Sequence, residues 1–344
     1  VSLSKMGYRV FLVAVASDVE GQSTDVSVIQ LPRLSRLRRV TIGSVRAIRT
    51  ALKTRATIFH LHDPELVWAI PLLRLMGKRV IYDAHEDLPV QILNKPYVRA
   101  SARPIMRCVA QLVISLARLS THVVSATETI AARFPSERVS VVHNYPPLRD
   151  AEAAAVSVLD RGNSLVYIGG IAELRGAVQM VDALGKEEFP DGWALDLAGT
   201  MPESLQTRLK ASEGWGRVRF HGQLPPDRAR DLLLAARVGL VVLQDTEAYR
   251  ESLPTKMFEY FAAGVPVIAS DFPLWNTLIE EFDCGVTVDQ TSPSAIASAV
   301  ARYANDPELL QRHSTNARRV AVEMLNWASE EPTLQAVYRR VSSR

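Results

Sequence analysis

The run best equipped for chemistry is Glu251-Ser-Leu-Pro-Thr-Lys-Met-Phe-Glu259, followed by Tyr-Phe-Ala-Ala-Gly264-Val-Pro266. Pro254 suits the first turn of a helix and Gly264 a left-handed cap, so the stretch between them reads as a short, well-delimited helix. Amides without partners at such an N-terminus, together with the helix dipole, favour phosphate, and Lys256 adds a compact positive charge. Glu251, before the helix, and Glu259, on its second turn, are poor phosphate ligands but good acceptors for sugar hydroxyls. Two carboxylates bracketing an anion-binding terminus point to a ligand with hydroxyl groups on both sides of a phosphate. The plainer alternative leaves Glu251 against the helix dipole and Glu259 as a surface residue.

These residues need a scaffold, and the hydrophobic pattern supplies one. Residues 8–16 read as a strand, 34–52 as a basic helix and 56–61 as the next strand, already a β-α-β order. An apolar, helix-like stretch at 64–76 ends at Gly77, and a short buried strand at 79–82 follows, with His85, Glu86 and Asp87 at its end. A long helix at 105–119 and strands at 121–125 and 139–143 complete the half, closed by Asn144-Tyr145-Pro146-Pro147. Residues 150–163, rich in Ala, Asp and Gly, form the natural hinge. The second half repeats the logic with strands at 164–168, 194–198, 218–221, 238–243 and 265–269, and helices at 176–184, 226–236 and 254–263. The fold class is therefore α/β, as two facing, open Rossmann-like domains. Open sheets of this kind bind ligands beyond the carboxyl ends of their strands, where Gly169, Gly170, Gly199, Gly222 and Asp271 fall, and this places one site in the cleft.

Composition narrows the function. A chain of 344 residues can bury two cores, and 47% apolar with 22% charged residues is ordinary for a soluble globular protein. The longest apolar stretches are strand-sized, far below the roughly 20 residues that span a bilayer. No basic n-region with an h-region and cleavage site opens the chain, so the cytoplasm is the expected location. Cys108 and Cys284 form no CxxC, no HExxH occurs, and no sequence-local cluster of His and Cys has zinc-site spacing, so no metal is expected.

Charge is unevenly spread: residues 1–150 carry 21 Lys plus Arg against 11 Asp plus Glu, while the remainder nets −7. Between Asp25 and Asp63 no acidic residue occurs, yet Arg33, Arg36, Arg38, Arg39, Arg46, Arg49, Lys53 and Arg55 do. Such a block attracts anionic headgroups or a phosphorylated acceptor, although a merely solvated helix face would look the same. Nucleic acid is not expected as a partner, since RNP-type aromatics, zinc fingers and a helix-turn-helix are missing.

Glu251-x7-Glu259 with Pro254-Thr255-Lys256 and Gly264-x-Pro266 resembles the retaining, two-domain glycosyltransferases of the large bacterial GT4 group, which have the GT-B fold and serve polysaccharide and glycoconjugate biosynthesis. The resemblance covers nearly the entire chain. His62-Asp63-Pro64-Glu65-Leu66, Tyr82-Asp83-Ala84-His85-Glu86-Asp87 and His143-Asn144-Tyr145-Pro146 look like first-domain landmarks, and Tyr167-Ile-Gly169-Gly170 with Glu173-Leu-Arg175-Gly176 like the opening of the second.

The resemblance implies a metal-independent, retaining transfer of hexosyl type from a UDP-, GDP- or dTDP-sugar to a glycan or lipid-linked acceptor, with no separate cofactor. Glu259 would bind the ribose and Glu251 the donor sugar hydroxyls, while Arg175 and Lys256 neutralise the diphosphate with help from the amides of Leu253, Pro254 and Thr255 around the Gly169-Gly170 turn. Because proline has no N–H, that amide help comes from the other two. His85 would lie near the transferred sugar, or be a satisfied structural histidine. The domains are expected at 1–150 on the acceptor side and 151–325 for the nucleotide sugar, with 326–344 crossing back to the first. Family members also open with a strand, a glycine loop and a full helix before the segment that Met6-Gly7-Tyr8-Arg9-Val10 resembles. Most of that unit is expected to be missing, through truncation or as a natural short form. The basic domain is expected to dock on the inner face of the cell membrane. Two alternatives share the fold: a nucleotide-sugar 2-epimerase, and a non-catalytic sugar-nucleotide-binding protein.

Overall fold

Strand β7 (Ser164–Ile168) shows how the second half is built, because its alternating side chains feed two different cores. Leu165 and Tyr167 join one buried cluster, and Val166 joins the other. A strand apolar on both faces belongs inside a parallel sheet covered on both sides. In the computed structural model, which describes residues 2–15, 26–89, 103–148 and 157–343, β7 is indeed central. With β8 (Ala194–Ala198), β9 (Val218–Gly222), β10 (Val238–Val241), β11 (Val267–Ser270) and β12 (Gly285–Val288) it forms a parallel sheet in the order β12-β11-β10-β7-β8-β9. That is the doubly wound order with its reversal between β7 and β10, where ligands bind beyond the strand ends.

Val1–Asn144 and Glu330–Arg344 make one compact unit, and Tyr145–Ser329 the other. The boundary falls before Tyr145, because its ring meets Phe258 edge-on at 4.7 Å, within the second unit. Leu325 and Asn326 are likewise buried there, and the Trp327 N–H donates to the Pro146 carbonyl at 3.0 Å. The expected hinge overlaps residues 149–156, which lie outside the described residues.

In the first unit β3 (Ile58–Leu61), β4 (Arg79–Ala84), β5 (His122–Ser125) and β6 (Val139–Val141) form a four-stranded parallel sheet, while β1 (Val10–Val15) pairs in parallel with β2 (Val26–Leu31). The sheet buries Phe59, Leu61, Val80, Tyr82 and Val123 against Ile48, Ile70, Leu73 and Ile114. The helix Trp327–Ser343 ends on this unit: Glu330 accepts from the His143 backbone N–H at 3.1 Å and meets its Nδ1 at 2.9 Å. Tyr338 Oη lies 2.9 Å from His60 Nδ1, and Arg79 donates to the Ser342 carbonyl at 2.7 Å.

The basic segment becomes a helical run, Arg36–Arg38, a π-helical turn Arg39–Gly43, then Ser44–Lys53. Its surface is not purely polar, since Leu37 is 82% exposed and Ile42 58%. Arg39 is engaged in an ion pair with Glu65 at 3.0 Å, whereas Arg46, Arg49 and Lys53 line a shallow groove along the helix.

Candidate functional site

The helix between Glu251 and Gly264 runs Thr255–Ala262, with Pro254 as its extended N-cap. Met257, Phe258, Tyr260 and Phe261 are buried, so the helix is clamped by one face and turns Thr255 and Glu259 to solvent. Gly264 supplies the left-handed residue at φ 64°, and the Val265 N–H returns to the Tyr260 carbonyl at 2.9 Å, satisfying the end of the helix. The turn before the helix is pinned from below, where the fully buried Trp275 donates its indole N–H to the Ser252 carbonyl at 2.7 Å.

The facing wall is the glycine turn after β7. Gly199 sits at φ 143°, and a Cβ there would lie 1.8 Å from the Gly169 carbonyl oxygen, so the backbones after β7 and β8 approach as only glycine permits. A Cβ on Gly169 would be 3.4 Å from Lys256 Nζ, and one on Gly170 would be 3.2 Å from Arg175 Nη1. Arg175 donates to the Gly170 carbonyl at 3.3 Å, and the Tyr167 hydroxyl donates to the same oxygen at 2.9 Å. Lys256 Nζ lies 3.8 Å from the centre of the Tyr167 ring, buried, with no hydrogen-bond acceptor among the described residues. Burial, then the neighbouring Arg175 charge, pushes its pKa down to about 7, with Glu259 opposing. Two cations, one dry and without an acceptor, beside a turn stripped of side chains have the chemistry to attract an anion.

Two hollows flank this point. One of about 450 Å³ is lined by Gly170, Arg175, Thr200 and Met201. The other, of about 320 Å³, runs between Pro146, Pro147, Ile168, Arg230 and Glu259. Of the residues expected from the sequence, Gly169, Gly170, Arg175 and Lys256 converge, and Glu259 opens onto the second hollow. Leu253, Pro254 and Thr255 form the approach to the helix, and Glu251 is exposed at the end of the short helix Glu247–Arg250. His85 is exposed just beyond β4, in the other unit. Sequence reasoning gave no role to Tyr167, whose ring underlies the ammonium, or to Tyr260, whose hydroxyl accepts from the Ile168 N–H at 3.1 Å and fastens the helix to the end of β7.

Comparison with known proteins gives the family. Residues 150–320 match the family Glycosyl transferases group 1, and residues 2–145 match Glycosyltransferase Family 4. The chain belongs to the GT4-type glycosyltransferases with the GT-B fold. A D-inositol 3-phosphate glycosyltransferase of Jonesia denitrificans is 26% identical to this chain over 234 residues, 64% of this chain and 54% of that one. A phosphatidyl-myo-inositol mannosyltransferase of Mycobacterium leprae is 26% identical over 190 residues, 53% and 48% of the two chains. The chain thus spans about half the length of the curated relatives it matches. Sucrose-phosphate synthase from Thermosynechococcus elongatus has the same fold, with a TM-score of 0.78 at 19% identity over 99% of this chain and 91% of that one. Anabaena HepE, solved in complex with UDP-glucose, gives 0.71 at 13% identity over 98% and 100%.

Proposed function

We propose that this glycosyltransferase moves a hexosyl group from a nucleotide diphosphate sugar to a hydroxyl of a glycan or lipid-linked acceptor, with retention of configuration. The observation that carries the reading is the buried ammonium of Lys256, without an acceptor, beside Arg175 at the Gly169-Gly170 turn, at the reversal point of the sheet. As the bond from the anomeric carbon to the diphosphate oxygen breaks, negative charge grows on the leaving group, and these cations stabilise it more than they stabilise the ground state. They supply the charge that a metal supplies elsewhere, so the transfer is proposed to need none. The acceptor hydroxyl bonds to the anomeric carbon on the face the diphosphate leaves and gives its proton to the departing phosphate. Glu259, on the second hollow, takes the ribose hydroxyls, Glu251 those of the donor sugar, and the Leu253 and Thr255 amides add to the phosphate contacts. For His85 the resemblance implies a hydrogen bond to the transferred sugar.

The test is a panel of UDP-, GDP- and dTDP-sugars scored by thermal stabilisation, since selective binding raises apparent stability by mass action. Transfer to candidate acceptors follows, with the anomeric configuration of the product read by NMR. Isomerised donor without acceptor would replace this reading with epimerisation, and tight donor binding without transfer would replace it with a sensor.

Acceptor access is proposed through peripheral docking of the first unit on the inner face of the cell membrane. No helix among the described residues is long and apolar enough to cross a membrane. The exposed Leu37 and Ile42 beside Arg46, Arg49 and Lys53 suit an anionic bilayer surface, where each charge contributes about 1 kcal/mol. Flotation with anionic vesicles should fall at high salt and in an Arg46→Ser, Arg49→Ser, Lys53→Ser variant. Equal flotation with neutral vesicles defeats the idea.

A further inference from the structure

Outside the anion site, the most unusual grouping of side chains is in the first unit, at the carboxyl ends of β3 and β4. Parallel pairing sets His60 against Ile81 and Leu61 against Tyr82, so His62, one residue past β3, falls opposite Asp83. Alternation along the strand puts His60 and His62 on one face, and their rings stack with centroids 4.4 Å apart at 20°. One ligand atom from each of His60, His62 and Asp83 lies within 4.8 Å of the other two. We propose that His60, His62 and Asp83 form a binding site for a divalent transition metal of the Zn²⁺ type.

Bonds of about 2.0–2.2 Å hold ligand atoms no more than about 4.4 Å apart around such an ion. In the tetrahedral arrangement usual for Zn²⁺ that spacing is about 3.3–3.6 Å, so closing a cluster that spans up to 4.8 Å takes shifts of up to about an ångström, within reach of side-chain rotation. His60 is already prepared in two respects. Its Nδ1 is held 2.9 Å from the Tyr338 hydroxyl, and its Nε2 is buried with no hydrogen-bond partner among the described residues. An outer hydrogen bond on one ring nitrogen is what fixes the tautomer and orientation of a metal-binding histidine, and with Nδ1 donating to the Tyr338 oxygen it is Nε2 that offers a lone pair to a metal. His62 Nδ1 and Asp83 Oδ2 lie 2.7 Å apart. The metal takes the place of the proton between them, which leaves to solvent. The His62 side chain is 60% exposed and Asp83 21%, so ions reach the site from that side and water completes the coordination.

Two imidazoles and one carboxylate select borderline metals over Mg²⁺ or Ca²⁺. Because Tyr338 lies on the helix Trp327–Ser343, an ion held by His60 also firms the seating of that helix on the strands.

The experiment uses the full chain, stripped with a chelator and free of nucleotide, so that its outcome is independent of the proposed transfer. Co²⁺ titration followed by visible absorption should saturate at one ion per chain, with bands of low coordination number that Zn²⁺ abolishes. Zn²⁺ should also raise the melting temperature. His62→Asn, at an exposed position, and Asp83→Asn should each lose the Co²⁺ spectrum, while His221→Gln keeps it. Tyr338→Phe should weaken binding about 10- to 100-fold, the range for an outer-shell partner. Wild-type protein that shows no Co²⁺ spectrum in metal excess, or a spectrum undiminished in both His62→Asn and Asp83→Asn, would overturn the proposal and leave a hydrogen-bond network only.

Discussion

Binding of the donor should be coupled to proton uptake at Lys256. In the nucleotide-free protein this ammonium is buried beside Arg175, with its pKa pushed down to about 7. A diphosphate placed against it favours the charged form and raises that pKa, so binding draws a proton from solvent whenever the free lysine is neutral. With a free pKa near 7, about nine-tenths of the lysine is charged at pH 6 and about one-tenth at pH 8. Donor affinity should therefore be about tenfold weaker at pH 8 than at pH 6, roughly 1.4 kcal/mol, with close to one proton taken up at pH 8. For the empty protein the sign is opposite. A depressed lysine pKa stabilises the fold at high pH, and that contribution is lost as pH falls through about 7.

Calorimetry in buffers of different ionisation enthalpy measures the proton directly. A nucleotide diphosphate sugar is the right probe, because both its phosphates are esterified and neither titrates in this window. Lys256→Met should bind more weakly at pH 6 and show a flat profile. A wild-type Kd constant from pH 6 to pH 8 with buffer-independent heats would refute the reasoning, as would a Lys256→Met protein that keeps the slope.

Other perturbations test the remaining parts. Glu259→Ala should weaken donor binding by about 1.5–3 kcal/mol, the worth of a charged hydrogen bond, and unchanged affinity in a folded variant would remove the ribose role. Arg175→Gln should depress turnover more than it weakens binding of the free nucleoside, and equal losses would contradict a contact with the leaving diphosphate. Gly176→Ala should destabilise the second unit by at least about 3 kcal/mol in denaturant melts, since its φ is 75° and a Cβ would lie 2.0 Å from the Val242 carbonyl oxygen. The His143 pKa is raised by its hydrogen bond to Glu330, so that pair stabilises the fold fully below the ordinary histidine pKa and the gain disappears as pH rises through the raised value. Glu330→Gln should lower the melting temperature more at pH 5.5 than at pH 9, and an equal loss at both would sink the assignment.

What the sequence disclosed, and what it hid, follows from how far apart the cooperating residues lie. Five of the six strands of the second sheet were legible, most of them as short apolar runs, and the helix Thr255–Ala262 because its cap and its glycine are local signals, whereas Gly285–Val288, a short strand that includes Thr287, is absent from the expected strands. The strand Val26–Leu31 went unread. Its alternating Ser27 and Gln30 dilute the apolar pattern, and its existence depends on pairing with β1, which no local window contains. Convergence of Lys256 on Gly169 was likewise invisible in spacing. The 86 positions between them are bridged by the sheet, which sets β7 beside β10, and by Tyr260, whose hydroxyl ties the helix to Ile168.

The same limit explains why the sequence shows no zinc-site spacing. His60 and His62 are two residues apart at the end of β3, but Asp83 lies 21 residues beyond His62 and joins them through the β3–β4 register. A one-residue slip of that register would turn Asp83 to the opposite face. The cluster is therefore a property of the folded sheet, and the same strand ends that lead into His85 position both groups of side chains. Parallel sheets concentrate chemistry at their carboxyl ends because the loops there are free to vary while the strands stay fixed. In this chain both sheets follow that rule, one gathering two cations beside a glycine turn, the other imidazoles beside a carboxylate.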